Sequence, residues 1–187
     1  MIQTIAKLIA EGERMKTSNQ PNISNDKPHT VEDIIRAIET KSADGNYIFR
    51  GEPECYQKIS SNLFRELDAI NAQYSNIQEI EAGIVAEAKS YTDKIDNSEI
   101  LYDLQHYGGK TNLIDFTTDY NVALFFACYG SPTESGRVII LQETKKIKEM
   151  LRYPETPEIR VDAQKSVFVE PPKGYIEEKF EVICIPK

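Results

Sequence analysis

The sequence predicts an α+β fold, with N-terminal helices packed on a small, mostly antiparallel sheet. Three observations carry this expectation. Helical periodicity dominates the first two thirds of the chain, and strand-like runs gather late. Strict βαβ alternation is absent, which argues against a doubly wound sheet.

Each element has a local reason. Ile2, Ile5, Leu8 and Ile9 share one helical face within residues 2–15, and the spacing predicts a docking helix. A membrane-surface helix is the alternative; there Lys7, Arg14 and Lys16 are offset by Glu11 and Glu13. Residues 17–29 have linker composition. Residues 1–29 are therefore expected to precede a single domain at 30–187. Thr30 can cap a helix whose stripe is Ile34, Ile35 and Ile38, and Asp44-Gly45-Asn46 breaks it. Tyr47 to Gly51 reads as a short strand ending at glycine, and Leu63 and Phe64 lie beyond a loop as core plugs.

Ser75-Asn76-Ile77-Gln78 matches a capping box. It starts a helix expected to run to about Tyr91, with Ile77, Ile80, Ile84 and Ala88 on its apolar face. A second helix is expected from Ser98 to Tyr107, with Gly108 at its left-handed end. Asn112 to Phe116 is extended, and Thr118 or Asp119 caps a helix that is apolar almost all round, from Val122 to Ala127. All-round apolarity predicts a central, buried helix. Gly130 and Pro132 end it. Gly136 to Leu141, Ser166 to Val169 and Phe180 to Ile185 read as strands, and Lys145 to Leu151 as one or two helical turns.

The 187 residues suit one domain, and 40% hydrophobic with 28% charged residues supports a packed core. No stretch approaches the ~18 apolar residues of a membrane span, and the N-terminus lacks a signal-peptide layout. Cys55, Cys128 and Cys184 form no framework, so a reducing cytoplasm is expected. A formal net charge of -8 argues against global attraction to nucleic acid or anionic membrane, while leaving room for a local basic pocket. The chain stops just after a strand, as either a fragment or a short family member does.

The densest chemistry lies at Leu104–Asp119. These 16 residues hold one of two histidines, a paired glycine, two aspartates and three threonines. Gly109-Lys110-Thr111 resembles the tail of a phosphate-binding P-loop, but Leu104 stands where the motif needs its first glycine. A glycine turn whose amides meet an anion is the weaker form of that idea. His106 is either a structural residue at a helix end or a general acid–base, since imidazole titrates near neutrality. Asp115, between Ile114 and Phe116, points off an apolar strand and needs donors or a cation; Arg50, also ending an apolar strand, is the natural partner. The pair either pins two elements or faces a ligand, Arg50 toward phosphate and Asp115 toward a sugar hydroxyl or cation. Asp119 reads most simply as a cap. Glu170, Glu177, Glu178 and Glu181 read as solvated, and Cys128 as an inert thiol in an apolar helix. No paired Cys or His spacing supports a metal.

Tyr47-Ile48-Phe49-Arg50-Gly51-Glu52 resembles the Phe-Arg-Gly signature of the FRG domain. Leu104 to Ala127 resembles that family's second block: a Gln-His-Tyr-Gly turn, a threonine, a hydrophobic pair, Asp, an aromatic, Thr, and a helix ending Ala-Leu-Phe-Phe-Ala. Phe64-Arg65 resembles an intervening Phe-Arg, and Arg160, Gln164 and Phe168 a weaker third block. The resemblance spans about residues 40–172. Gly109-Lys110 replaces a residue plus proline, Asn112 a common arginine and Phe116 a common tryptophan. The order of blocks is also remotely similar to NAD-dependent ADP-ribosyltransferases. That similarity implies a ligand site with Arg50, His106, Asp115 and Gln164 as candidate catalytic residues. Gly51, Tyr107, Gly108, Thr111 and Thr117 are its candidate ligand-binding residues. It further implies NAD as a substrate rather than a resident cofactor, and a nucleotide-like small molecule or protein acceptor as partner. Arg50 would position phosphates, and Asp115 with Thr117 would support the ribose. Gln164 stands where a late glutamate is expected, so Glu170 or Asp115 supplies the charge, or the chemistry differs. A non-catalytic sensing or protein-interaction module, as in defence or toxin-like systems, is the other function class.

Overall fold

A computed structural model describes residues 30–130, 133–154 and 159–186. The expected helix at 2–15, the linker at 17–29, Pro132 and the Arg160 side chain lie outside the described residues.

Among the described residues, seven α-helices and six strands alternate irregularly: α1 (Val31–Lys41), β1 (Tyr47–Glu52), α2 (Asn62–Ala69), α3 (Ile77–Ala88), α4 (Asn97–His106), β2 (Ile114–Thr117), α5 (Tyr120–Cys128), β3 (Gly136–Gln142), α6 (Lys145–Met150), β4 (Leu151–Arg152), α7 (Ile159–Ala163), β5 (Ser166–Val169) and β6 (Glu181–Ile185). The strands form one sheet in the order β4-β5-β2-β1-β3-β6. Every neighbouring pair is antiparallel, as the α+β expectation requires.

Period-two alternation sorts the sheet's side chains onto two covered faces. Ile48, Ile114, Phe116, Ile139 and Val167 pack with Ile147 and Met150 of α6 on one side. Phe49, Val138, Ile140 and Ile183 pack with Ile34 and Ile38 of α1 and with Ala123 and Ala127 of α5 on the other. β3 is buried on both faces, so its apolar run is continuous rather than alternating. Each such side chain contributes roughly 1.5–3 kcal/mol on burial.

Side-chain caps fix the helix starts. Thr30 accepts the Asp33 amide at 3.1 Å, and Asp96 accepts the Ser98 and Glu99 amides. Asp119, not Thr118, caps α5 through the Asn121 amide at 2.9 Å. Asn76, not Ser75, caps α3, one residue later than the capping-box reading.

Leu63 plugs the core beyond the loop as expected, and it and Phe64 belong to a helix, α2, which Ser61 caps through the Phe64 amide. Two expectations are corrected. The buried face of α3 is Ile77, Glu81 and Val85, not Ile77, Ile80, Ile84 and Ala88. α5 is central but only its alanine face is buried: Ala123 and Ala127 lie on the sheet, while Phe125 is 58% exposed. Helix and strand touch there because Gly51 has no side chain. A Cβ at Gly51 would lie 1.8 Å from the Ala123 carbonyl oxygen. Among the described residues, no helix is long and apolar enough to cross a membrane.

Candidate active site

β1 pairs with β3 along all six of its residues but with β2 at a single pair, Phe49 with Thr117. Beyond that pair the two strands part. A cavity of about 300 Å³ opens at the gap, walled by α4, α5 and β5. All four candidate catalytic residues, Arg50, His106, Asp115 and Gln164, line it, together with Gly51 and Thr117.

Arg50 bridges the parted strands. Its Nη1 donates to the backbone carbonyl of Asp115 at 2.8 Å, and its Nε to Glu52 Oε1 at 2.9 Å. The expected Arg50–Asp115 ion pair is therefore corrected. Arg50 touches the main chain of Asp115, and its carboxylate partner is Glu52. Sequence reading missed Glu52, although two residues apart on a strand means one face. Glu52 is buried and also takes Arg137, Nε at 2.7 Å and Nη2 at 2.6 Å. Arg65 lies close by, bonded to the Ser60 carbonyl and Asn62 Oδ1. Burial, and next the positive charge of Arg50, push its guanidinium pKa down. Two arginines thus bind one buried glutamate, with Arg65 within electrostatic reach, in a chain of net charge -8.

Asp115 is exposed rather than buried. Its Oδ2 accepts Gln105 Nε2 at 2.7 Å. Gln105 Oε1 accepts the Thr111 hydroxyl at 2.5 Å, and Thr111 Oγ1 accepts the Leu113 amide at 3.2 Å. The relay has one direction. The Asp115 carboxylate only accepts, so the Gln105 NH₂ must face it, and Gln105 Oε1 is left to accept the Thr111 hydroxyl. Thr111, expected to touch ligand, is wholly buried one residue behind the site.

Thr117 is spent on the chain itself. Its hydroxyl donates to the Gln164 carbonyl at 2.7 Å and accepts the Asp119 amide at 3.0 Å. It joins β2 to the turn before β5, where Lys165 has φ +46° and its Nζ meets Asp119 Oδ2 at 2.8 Å. That contact, followed by the Asn121 amide, holds the Asp119 carboxyl pKa down. Gln164 lines the cavity beside β2.

The apolar wall was not legible in advance. Tyr102 of α4 stacks on Phe168 of β5, ring centroids 5.3 Å apart and planes 19° from parallel. Phe49 and Phe126 extend the wall. Tyr102, Gln105 and His106 occupy one face of α4 by i, i+3 and i+4 spacing, a signal present in the sequence but outweighed there by the glycine turn.

Tyr107 and Gly108 do not line the cavity; Tyr107 is 79% exposed, and Gly108 ends α4 at φ +81°. The anion-turn idea is overturned as well. The Gly108 and Gly109 amides donate to the Gln105 and Leu104 carbonyls, and Lys110 pairs with Glu66 at 3.0 Å. Glu170 pairs with Arg152 at 2.7 Å and is not among the lining residues. Among the described residues, no cluster of three or more His, Cys, Asp or Glu side chains could hold a metal.

Residues 45–135 match the FRG domain family. The chain carries an FRG domain. The matched residues hold β1, β2 and helices α2 to α5, while β3 to β6 complete the same sheet outside the match. The FRG residues thus supply Arg50, His106 and Asp115, and the remainder supplies Gln164 and Phe168. No curated protein and no solved structure matches the chain.

Proposed function

We propose that the FRG cavity binds a nucleotide-like anion of the NAD class and cleaves or transfers at its nicotinamide ribose. The observation that carries the reading is the convergence of Arg50 and Asp115 on one cavity with a stacked aromatic wall. Arg50 spends Nε and Nη1 on the protein, and its Nη2 makes no hydrogen bond among the described residues. That leaves donors for a phosphate. Asp115 is the one carboxylate among the lining residues. In glycosidic cleavage the nicotinamide leaves with the bonding electron pair, and the ribose carbon becomes cationic until water or an acceptor attacks. A fixed carboxylate stabilises that charge, and Gln164 adds a neutral amide hydrogen bond. About 300 Å³ is at the low end for ligand sites, enough for one half of a dinucleotide.

The neutral Gln164 favours a second reading: ligand sensing without turnover. One experiment separates the two. The protein is incubated with NAD and candidate acceptors, with mass analysis of all components and a thermal shift in parallel. Nicotinamide release or an added ADP-ribose mass supports the first reading. A thermal shift with intact NAD supports the second. Intact NAD, unmodified acceptors and no shift would exclude both. Asp115→Asn keeps an acceptor for Gln105 and removes the charge, so it should lower turnover at least ~100-fold with an unchanged melting temperature. Arg50→Ala is a poorer control, because it also strips a partner from buried Glu52.

A further inference from the structure

A second guanidinium stands beside the cavity. Asn62, the first residue of α2, lines that cavity, and its neighbours in the chain hold it in place. Ser60 bridges to Tyr175, the Ser61 amide donates to the Gly174 carbonyl at 2.8 Å, and the Leu63 amide donates to the Thr111 carbonyl at 3.1 Å. Arg65 closes back over this start of the helix. Its Nη1 donates to the Ser60 carbonyl and its Nη2 to Asn62 Oδ1. A guanidinium only donates, so the Asn62 oxygen must face Arg65 and the Asn62 NH₂ is turned away from it. Neither that NH₂ nor Arg65 Nε makes a hydrogen bond among the described residues.

The charges are as pointed. Glu52 is shared between Arg50 and Arg137, so it neutralises neither fully. Arg65 lies within electrostatic reach of Arg50, Glu52 and Asp115. In this group Arg50, Arg65 and Arg137 outnumber Glu52 and Asp115, and a local positive surplus attracts anions.

We infer that Asn62 and Arg65 join Arg50 in binding a diphosphate group, so that the ligand is a diphosphate-bridged dinucleotide rather than a nucleoside monophosphate. The inference rests on the nucleotide reading of the cavity and narrows it. Arg50 Nη2 takes one phosphate, and Asn62 Nδ2 with Arg65 Nε takes the next. Arg65 is exposed and bonded to a lining residue, which puts it at the rim. A cavity of about 300 Å³ holds one half of a dinucleotide, and the diphosphate then falls at the mouth, where these donors are.

Binding of inorganic phosphate and inorganic pyrophosphate is measured by calorimetry on the native chain, Asn62→Ala, Arg65→Gln and Lys110→Gln, with NAD titrated in parallel. Lys110 pairs with Glu66 on the surface and serves as the charge control. The native chain should bind pyrophosphate at least ~10-fold more tightly than phosphate. Asn62→Ala and Arg65→Gln should each erase most of that preference with phosphate binding little changed, and Lys110→Gln should keep it. Equal binding of the two anions by the native chain overturns the inference. So does a preference that survives both site variants, or one that Lys110→Gln removes equally. A preference lost in both site variants, with NAD unbound, keeps the diphosphate site and overturns its assignment to a dinucleotide. NAD cleavage without any pyrophosphate preference upholds the proposed function and overturns this inference alone.

Discussion

Asp115 owes its orientation to Gln105, which lines the cavity, and to Thr111 behind it, which does not. The order Leu113 amide, Thr111 hydroxyl, Gln105 amide and Asp115 carboxylate fixes which end of the Gln105 side chain faces the site. Thr111→Val keeps the shape and removes both bonds of the hydroxyl. It leaves the Leu113 amide unanswered in the interior and should cost about 1–3 kcal/mol of stability. It also leaves Gln105 Oε1 without its donor and loosens the amide that positions Asp115, so the proposed turnover on NAD should fall about tenfold at little-changed KM. Thr111→Ser should restore the rate even where stability is only partly regained. Denaturant melts and steady-state kinetics check the two halves separately. The sequence places Thr111 beside the site but cannot say which side of the strand's entry it faces. A residue pointing to ligand and one pointing to the ligand's holder look alike in composition.

At the scale of elements, α3 shows where sequence legibility ends. Its cap and length follow from local chemistry, but its rotation about its own axis does not. A stripe of isoleucines is the natural core face, and the fold buries Glu81 instead. The Glu81 carboxylate accepts the Asn112 amide, while buried Asn112 donates Nδ2 to the Pro171 carbonyl at 2.8 Å. Burial, opposed by that amide and reinforced by Glu170, pushes the Glu81 pKa up to about 7. In the unfolded chain a glutamate titrates near ~4.3. Between those values the folded chain holds the extra proton. The associated stability is complete below the unfolded pKa and is lost as pH rises through about 7. Glu81→Gln keeps an acceptor and removes the titration. It should flatten urea-derived stability between about pH 5 and pH 8 and gain about 3 kcal/mol on the native chain at the upper end. A constant difference between the two proteins across that range refutes the assignment. α5 was misjudged for a related reason. Hydrophobicity all round told of a central helix, whereas the Gly51 contact, which admits only alanines, decides which side is buried.

At the scale of the molecule, the order β4-β5-β2-β1-β3-β6 divides at its centre. Three strands lie on each side, and the pairing between the halves is Phe49 with Thr117. The fold class was legible because patterning reports which segments are strands. Their order was not, because it depends on pairings between residues as far apart as Tyr47 and Gln142, or Phe49 and Thr117. The site's two charged candidates were legible as residue types beside glycine and aromatic residues. Their partners, Glu52 and Gln105, became visible only once the strands were seen to part.

That parting makes the sheet a seam. A continuous ladder would share load evenly, but here one residue pair and one guanidinium carry the strand-to-strand junction. A ligand held, as proposed, by Arg50 on one side and Asp115 on the other would act as a stitch across it. Occupancy should therefore slow exchange of the Ile114 to Thr117 amides more than that of β3, whose edges are already closed. Equal slowing in both strands would mean that the ligand merely adds stability overall. In this molecule the line of least mechanical continuity and the line of the proposed chemistry coincide, and a ligand that closes one closes the other.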